Sequence, residues 1–236
     1  MTDFFNFEDK EIDIPFYNGI PELSRLKWGL LILGLILFLV LLYIPIPIQE
    51  TVLAILFCLV LLLPTLYVLG SKWNLMFRKI RRKDILPIIV LFILEFIYAM
   101  LILYILESLG LTAATPASQV NTSTTLISFI NMAIQLMGEE LFKIILLIVL
   151  MFVFYHFLNR KQSLIISMIL TCIVFGLMHA GYYGGILQVV LIQGLGSIFE
   201  VHLYVKTKNV MASYTCHIIY DCVPIFFEII ALIMAL

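Results

Sequence analysis

Five of the ionisable side chains in the apolar stretches of this sequence are of kinds, and at intervals, that suit them to act together in a reaction, and these stretches are apolar enough for the interior of a bilayer. They are two adjacent glutamates, two histidines and an aspartate: Glu139, Glu140, His179, His217 and Asp221. An ionisable group at bilayer depth costs several kcal/mol, so these residues are expected to face one another in a polar cavity rather than lipid. A carboxylate can deprotonate water, an imidazole can relay the proton and further donors can stabilise an oxyanion, so the set indicates hydrolysis.

The glutamate pair has a basic residue close by in the sequence. The side chains of Glu139 and Glu140 point about 100° apart on a helix. Lys143 lies four residues after the first glutamate and three after the second, so it can reach either carboxylate. One glutamate can therefore pair with Lys143 while the other stays free for chemistry. The alternative interpretation is a purely structural ion-pair cluster that holds helices together.

Each histidine has a neighbour on the same face of its helix. Phe175 precedes His179 by one turn, and Asp221 follows His217 by four residues. Taken singly, His179 could be a packed residue at a helix end, and the second pair could be an Asp–His hydrogen bond inside a bundle. Their combination with the glutamates, on three separate apolar stretches, favours a catalytic site.

Other ionisable residues in the apolar stretches are left out of the predicted site. They are isolated, or they lie near the ends of the stretches, where long side chains can reach the interface. This group consists of Glu95, His156, Glu200, His202 and Glu228.

The composition is that of a protein with several membrane spans. Hydrophobic residues make up 63% of the chain and charged residues 12%, whereas soluble domains have about 45–50% apolar and about 25% charged residues. The four cysteines lie in apolar stretches without zinc-type spacing, which predicts buried thiols rather than disulfides or metal ligands.

Seven apolar runs predict an all-α membrane protein, a polytopic bundle of about seven transmembrane helices. The runs are 28–43, 51–69, 85–106, 126–158, 163–179, 186–205 and 210–236. The fourth run is longer than a bilayer requires, so it is either one long tilted helix or a segment that breaks near Gly138. We expect an acidic cytoplasmic tail on the membrane surface (1–24), three generic spans (25–124) and a catalytic core (125–236).

The basic residues predict the orientation of the chain. Lysine and arginine flank the runs on one side only, most densely between 72 and 83, and are missing from the connections 44–50, 107–125 and 180–185. The positive-inside rule therefore predicts a multi-pass protein of the cell membrane with a cytoplasmic N-terminus and an external C-terminus.

The three patterns resemble the signature of the CPBP family, the CAAX proteases and bacteriocin-processing intramembrane peptidases. The family has a Glu-Glu pair followed by a basic residue, then Phe-x-x-x-His, then His-x-x-x-Asn/Asp. The matching positions are Glu139 and Glu140, Phe175 and His179, and His217 and Asp221.

This chain departs from the family pattern at one position. The usual arginine falls five residues after the first glutamate, where this chain has Ile144, and Lys143 stands one position earlier. Lys143 can still reach the glutamate pair, but its ammonium lacks the two-pronged geometry of a guanidinium.

The resemblance implies a conical helical bundle with its site in a water-accessible cavity. It also implies glutamate-dependent hydrolysis without a metal, in which Glu139 activates water with help from His179. His217 and Asp221 would stabilise the oxyanion. A zinc-dependent mechanism has been entertained for the family, but this chain has no His-Glu-x-x-His pattern, so a metal is not favoured.

The sequence thus predicts an intramembrane endopeptidase acting on a membrane-associated peptide or protein. The lipid bilayer is its expected surroundings, and nucleic acid is not an expected partner. Two alternatives remain open: a catalytically silent immunity or regulatory protein, and a proton-coupled transporter whose carboxylates relay protons.

Overall fold

The computed structural model describes residues 7–8, 12–44, 47–112, 126–183 and 185–234. These residues form helices joined by short connections, and no strand occurs among them. In chain order the helices are α1 (Arg25–Tyr43), α2 (Glu50–Leu69), α3 (Arg82–Ser108), α4 (Leu126–Tyr155), α5 (Arg160–Met178), α6 (Ala180–Tyr183), α7 (Ile186–Val189), α8 (Ile198–Thr207) and α9 (Val210–Met234). The predicted all-α class is confirmed for this part of the chain.

Helix α4 is long but lacks the composition of a membrane span. Five helical segments are long and apolar enough to cross a membrane: Arg25–Tyr43, Glu50–Leu75, Arg82–Ser108, Arg160–Met178 and Ile186–Thr207. Helix α4 is not among them, because it carries Glu139, Glu140 and Lys143. The count of seven spans therefore stays a prediction, although each of the seven apolar runs coincides with helical structure.

Helix α4 is the centre of the bundle. It contacts α1, α2, α5, α8 and α9. It runs without a break from Leu126 to Tyr155, so of the two alternatives for this run the single long helix is observed and the break near Gly138 is not. That glycine serves close packing instead: a Cβ atom there would lie 2.5 Å from the carbonyl oxygen of Phe57 on α2. The backbone contact brings α2 against α4 directly beside Glu139.

The sixth apolar run is not one regular helix. Its first turn is α7, which passes into a π-helical turn at Val190–Gly194 before α8 begins. A Cβ atom on Gly194 would lie 2.8 Å from the carbonyl oxygen of Cys172, and one on Gly176 would lie 2.7 Å from the Cα of Gly194. This contact packs the end of α5, where His179 lies, against the irregular segment.

The described residues 12–24 pack onto the bundle, whereas the sequence predicts a tail on the membrane surface. Ile14, Phe16 and Tyr17 are each at most 3% exposed and belong to the main hydrophobic core. Arg160 at the start of α5 pairs with Glu8 at 2.5 Å and with Asp13 at 2.7 Å. The difference from the prediction arises because the aromatic residues near the acidic ones find an apolar surface to cover.

Contacts between distant residues define two ends of the bundle. At the basic end Arg78 donates to the carbonyl of Thr207 at 2.5 Å, and Lys208 pairs with Glu8 at 3.1 Å. At the opposite end the hydroxyl of Tyr43, the last residue of α1, donates to the carbonyl of Leu177 near the end of α5 at 3.2 Å. The predicted one-sided distribution of lysine and arginine is therefore a property of one end of the fold.

Candidate active site

A cavity of about 620 Å³ lies among α1, α2, α4, the end of α5 and α9. Much of its wall is apolar, including Phe38, Leu42, Leu53, Phe57 and Met132. Its ionisable lining residues are Glu50, Glu139, His179 and Asp221. Three of the five residues singled out in the sequence thus meet at one cavity, and the other two, Glu140 and His217, are buried behind its wall.

Glu139 turns its carboxylate toward the cavity. Its side chain is 12% exposed. The amide of Gln135, one turn earlier on α4, donates to Oε1 at 3.0 Å. The other oxygen, Oε2, lies 4.0 Å from Nε2 of His179. Since 4.0 Å is too long for a direct hydrogen bond, the pair is spaced for a water molecule to bridge them.

His179 is held by the end of α5. It follows Met178 as the C-cap residue, and its Nδ1 lies 2.9 Å from the carbonyl oxygen of Phe175. A carbonyl can only accept, so Nδ1 carries a hydrogen and, in the neutral ring, Nε2 is an acceptor. The aromatic ring of Phe175 packs edge-on against the imidazole at a centroid distance of 4.9 Å. These contacts aim Nε2 at Glu139.

Glu140 belongs to a different environment from Glu139. It is completely buried, and its Oε2 lies 2.8 Å from the Nζ of Lys143 and 3.3 Å from Nδ1 of His217. Lys143 also pairs with Glu200 on α8, and its Nζ lies 3.3 Å from Nδ1 of His217. We call Glu140, Lys143, Glu200 and His217 the buried cluster.

Phe175 and Asp221 connect the buried cluster with the cavity. The ammonium of Lys143 lies 4.7 Å from the centroid of the Phe175 ring, a cation–π contact. Asp221 lines the cavity, and its Oδ2 lies 3.8 Å from Nε2 of His217. The imidazole of His217 therefore has the ions of the cluster on one side and a cavity residue on the other.

Glu200 is the residue that sequence reasoning missed. It was left out because it lies near the basic end of its apolar run, but it is only 1% exposed and contacts Lys143 and His217. Counting residues along the two helices from the turn between α8 and α9 places Glu200 at the same depth as His217. Glu200 precedes Thr207 by seven residues and His217 follows Val210 by seven, so both lie about 10 Å from that turn.

The other excluded residues differ in their surroundings. Glu95 is also buried, with its carboxylate 3.9 Å from the thiol of Cys216. The ring of His202 lies tilted against that of Phe7 at a centroid distance of 4.6 Å, and His156 is exposed next to the carbonyl of Phe152. Glu228 lies outside the residues whose side chains the structure describes.

Three donors of the buried cluster are close enough to hold a metal ion. The ligand atoms of Glu140, Glu200 and His217 lie within 4.8 Å of one another. The ammonium of Lys143 is also among these atoms, at 2.8 Å from Glu140 and in contact with Glu200. A divalent ion would have to share this space with a positive charge, and none of the three donors lines the cavity. The donor set thus fits Lys143 better than a catalytic metal.

Comparison with known proteins covers this same part of the chain. Residues 121–223 match the family model described as Type II CAAX prenyl endopeptidase Rce1-like. No match was found among curated proteins or among solved structures. The matched region contains all three motifs that suggested the family. Together with those motifs, the match confirms the resemblance to the CPBP-family proteases predicted from the sequence.

Proposed function

We propose that this protein is an intramembrane endopeptidase that hydrolyses a peptide bond in a membrane-associated peptide or protein. One observation carries the proposal: a carboxylate and an imidazole, 4.0 Å apart, line a cavity inside a bundle of apolar helices. This arrangement provides a site for a water molecule and room for a substrate chain. The family match supports a protease in general, and the assignment of roles below is our proposal.

Glu139 acts as the general base. Water held between Glu139 and Nε2 of His179 loses a proton to the carboxylate as its oxygen attacks the carbonyl carbon of the scissile bond. His179 orients that water, because its Nε2 is the acceptor in the neutral ring. When the tetrahedral intermediate collapses, the carbon–nitrogen bond breaks and Glu139 returns the proton to the leaving amine.

Asp221, which lines the cavity, stabilises the oxyanion together with His217, which lies behind it. Nδ1 of His217 lies 3.3 Å from both Lys143 and Glu140, and its Nε2 faces Asp221. The proposed mechanism uses His217 with a hydrogen on Nε2, so that this nitrogen can donate to the oxyanion. Asp221 can add a second donor if it carries a proton. Donors placed in advance around a developing negative charge are commonly the largest electrostatic contribution to catalysis.

Lys143 takes the place that a metal would have in this mechanism. It neutralises Glu140 and positions His217, so the proposed hydrolysis needs no ion. Chelators should therefore leave cleavage unchanged. A protein whose activity and metal content fall together on chelation would contradict this part of the proposal.

Peptide analysis of cells tests the proposed function even though the substrate is not identified. Membranes and medium from cells expressing the wild-type chain are compared with those from cells expressing Glu139→Gln at equal level. Fragments present only with the wild type are then synthesised as intact precursors and offered to the purified protein. Cleavage by the wild type and not by the variant is expected. If no fragment depends on Glu139, the chain acts by binding or transport instead.

A further inference from the structure

The cavity lies toward the end of the bundle opposite to the basic end. Leu42, Glu50 and Ser128, which lie at or near helix ends on that side, all line it. Glu50 is exposed there as the first residue of α2. The cavity therefore reaches from the depth of Glu139 toward this end of the bundle.

All the lysine and arginine side chains from residue 25 onward, apart from Lys143, belong to the other end. They lie at the start of α1, between α2 and the first turn of α3, at the start of α5, and at the end of α8 with the turn before α9. The ion pairs of Arg160 and Lys208 with Glu8 place several of these segments together. Because basic segments are retained in the cytoplasm, the positive-inside rule places the cavity end on the outer side of the membrane.

The cavity lining carries acidic side chains but no lysine or arginine among the described residues. The acidic residues are Glu50, Glu139 and Asp221. The buried Oδ1 atom of Asn131, another lining residue, accepts no hydrogen bond from the residues that the structure describes. Such a lining attracts N–H donors and cations and repels a carboxylate.

We propose that the substrate reaches this site from the extracytoplasmic side and carries a positively charged segment next to an apolar one, with Glu50 as a residue that selects for the charge. This inference rests on the proposed function, because a ligand of the cavity is a substrate only if Glu139 acts in its cleavage. It disfavours a substrate that must bury a free C-terminal carboxylate in the cavity, because none of the described lining residues is a lysine or an arginine and three are acidic. An exported cationic peptide is the class of ligand that fits.

The side of the membrane is tested by cysteine labelling on intact cells. Ile48 lies in the connection between α1 and α2 at the cavity end and is 36% exposed, and Ile80 lies at the basic end and is 38% exposed. Ile48→Cys should react with a membrane-impermeant maleimide on intact cells, and Ile80→Cys only after permeabilisation. The unmodified chain gives the background from its own cysteines. The reverse pattern would overturn the proposal.

The preference for positive charge is tested by binding to Glu139→Gln protein in nanodiscs, so that cleavage is not needed. The probes are two fluorescent peptides of the same apolar sequence, one with two lysines and one with two glutamates at the same flanking positions. The lysine peptide should bind more tightly, and Glu50→Gln should weaken that peptide about fivefold, as for an exposed ion pair. Glu107→Gln, an exposed glutamate at the same end that does not line the cavity, is the matched control and should have no effect.

The two proposals fail in different ways. Equal binding of both peptides, or tighter binding of the glutamate peptide, would overturn the charge preference even if Glu139-dependent cleavage is observed. Tighter binding of the lysine peptide with outward labelling, but no cleavage by the wild type, would support the ligand class and end the endopeptidase hypothesis.

Discussion

Glu139 and Glu140 are neighbours in the sequence but lie in opposite environments. Glu139 faces a cavity, with Gln135 as its hydrogen-bond donor and an imidazole 4.0 Å away. Glu140 is sealed in the protein, where Lys143 neutralises it at 2.8 Å. The difference teaches that a rotation of about 100° around α4 separates a carboxylate that can meet water from one that holds helices together. Catalysis and stability should therefore respond separately to changes at the two positions.

The largest expected effect is on the rate of cleavage by a Glu139→Gln variant. Glutamine keeps the size and the contact with Gln135 but cannot take a proton, so kcat should fall about 10²–10⁴-fold. Unfolding should be nearly unchanged, because the residue borders the cavity. The measurement is the turnover of a substrate by purified protein, with unfolding followed in the same detergent. A larger loss of turnover in a folded Glu140→Gln variant would move the base to Glu140.

The next largest effect is on stability, through Lys143→Met. Removing the ammonium leaves Glu140 and Glu200 buried without a counter-ion, and breaking a buried pair costs about 3–5 kcal/mol. Denaturant unfolding of the purified protein measures this loss. Adding Glu200→Gln to the variant should recover part of it, because one buried charge is removed. Lys161→Met, at an exposed lysine beside Arg160, is the control and should change stability by less than about 0.5 kcal/mol. Equal stability of both lysine variants would show that the cluster does not hold the bundle together.

Asp221 sharpens the comparison, because it belongs to the cavity and contacts the buried cluster. Asparagine donates a hydrogen bond at every pH, so Asp221→Asn should keep turnover within about tenfold, while Asp221→Ala should lose about 10²–10³-fold. Assays with and without a chelator, together with metal analysis, complete the test. An inactive asparagine variant beside a chelator-sensitive wild type would favour a zinc mechanism, in which Asp221 binds the ion or orients His217.

The smallest expected effect concerns the N-terminal segment at the basic end. The hydrogen bond from Arg160 lowers the pKa of Glu8 below its ordinary value of 4.5, with Lys208 contributing and burial opposing. A carboxyl whose pKa is lower in the folded protein stabilises it above its ordinary pKa, and the contribution is lost as the pH falls through the folded pKa. Stability should therefore decline below about pH 4.5 by no more than about 1 kcal/mol from this group.

Two variants test whether the ion pair of Glu8 with Arg160 causes this pH dependence of stability. Arg160→Gln should reduce the decline in unfolding free energy between pH 6 and pH 4, because Glu8 then titrates nearly as it does in the unfolded chain. Lys161→Gln, at the exposed neighbouring lysine, should leave the decline as it is. An identical pH profile for the wild type and Arg160→Gln would show that the ion pair contributes nothing to stability.

The positions of the helices could be predicted because local signals mark them. Each apolar run ends at charged residues, prolines or polar connections, and α2 and α5 begin and end within three residues of the predicted bounds. The π-helical turn at Val190–Gly194 could not be predicted. It follows from backbone contact between Gly194 and α5, which joins residues far apart in the sequence.

The sequence predicts most of the residues that belong to the site, but it does not predict which of them pair with one another. Spacing shows that Lys143 can reach Glu139 or Glu140. The rotation of α4 relative to its neighbours determines that Lys143 pairs with Glu140. The pair of Glu200 with Lys143 joins two helices, so spacing along the sequence does not predict it. Motifs within one helix are visible in the sequence, whereas ion pairs between helices depend on how the helices pack.

Carboxylate labelling tests most directly whether water reaches Glu139 and not Glu140. The folded protein in nanodiscs is treated with a water-soluble carbodiimide and an amine, and tandem mass spectrometry locates the modification on the peptide that contains both residues. Glu139→Gln serves as the control that assigns the label. We predict modification of Glu139 in the wild type and no modification of that peptide in the variant. Labelling of Glu140 as fast as Glu139 in the folded protein would contradict the account.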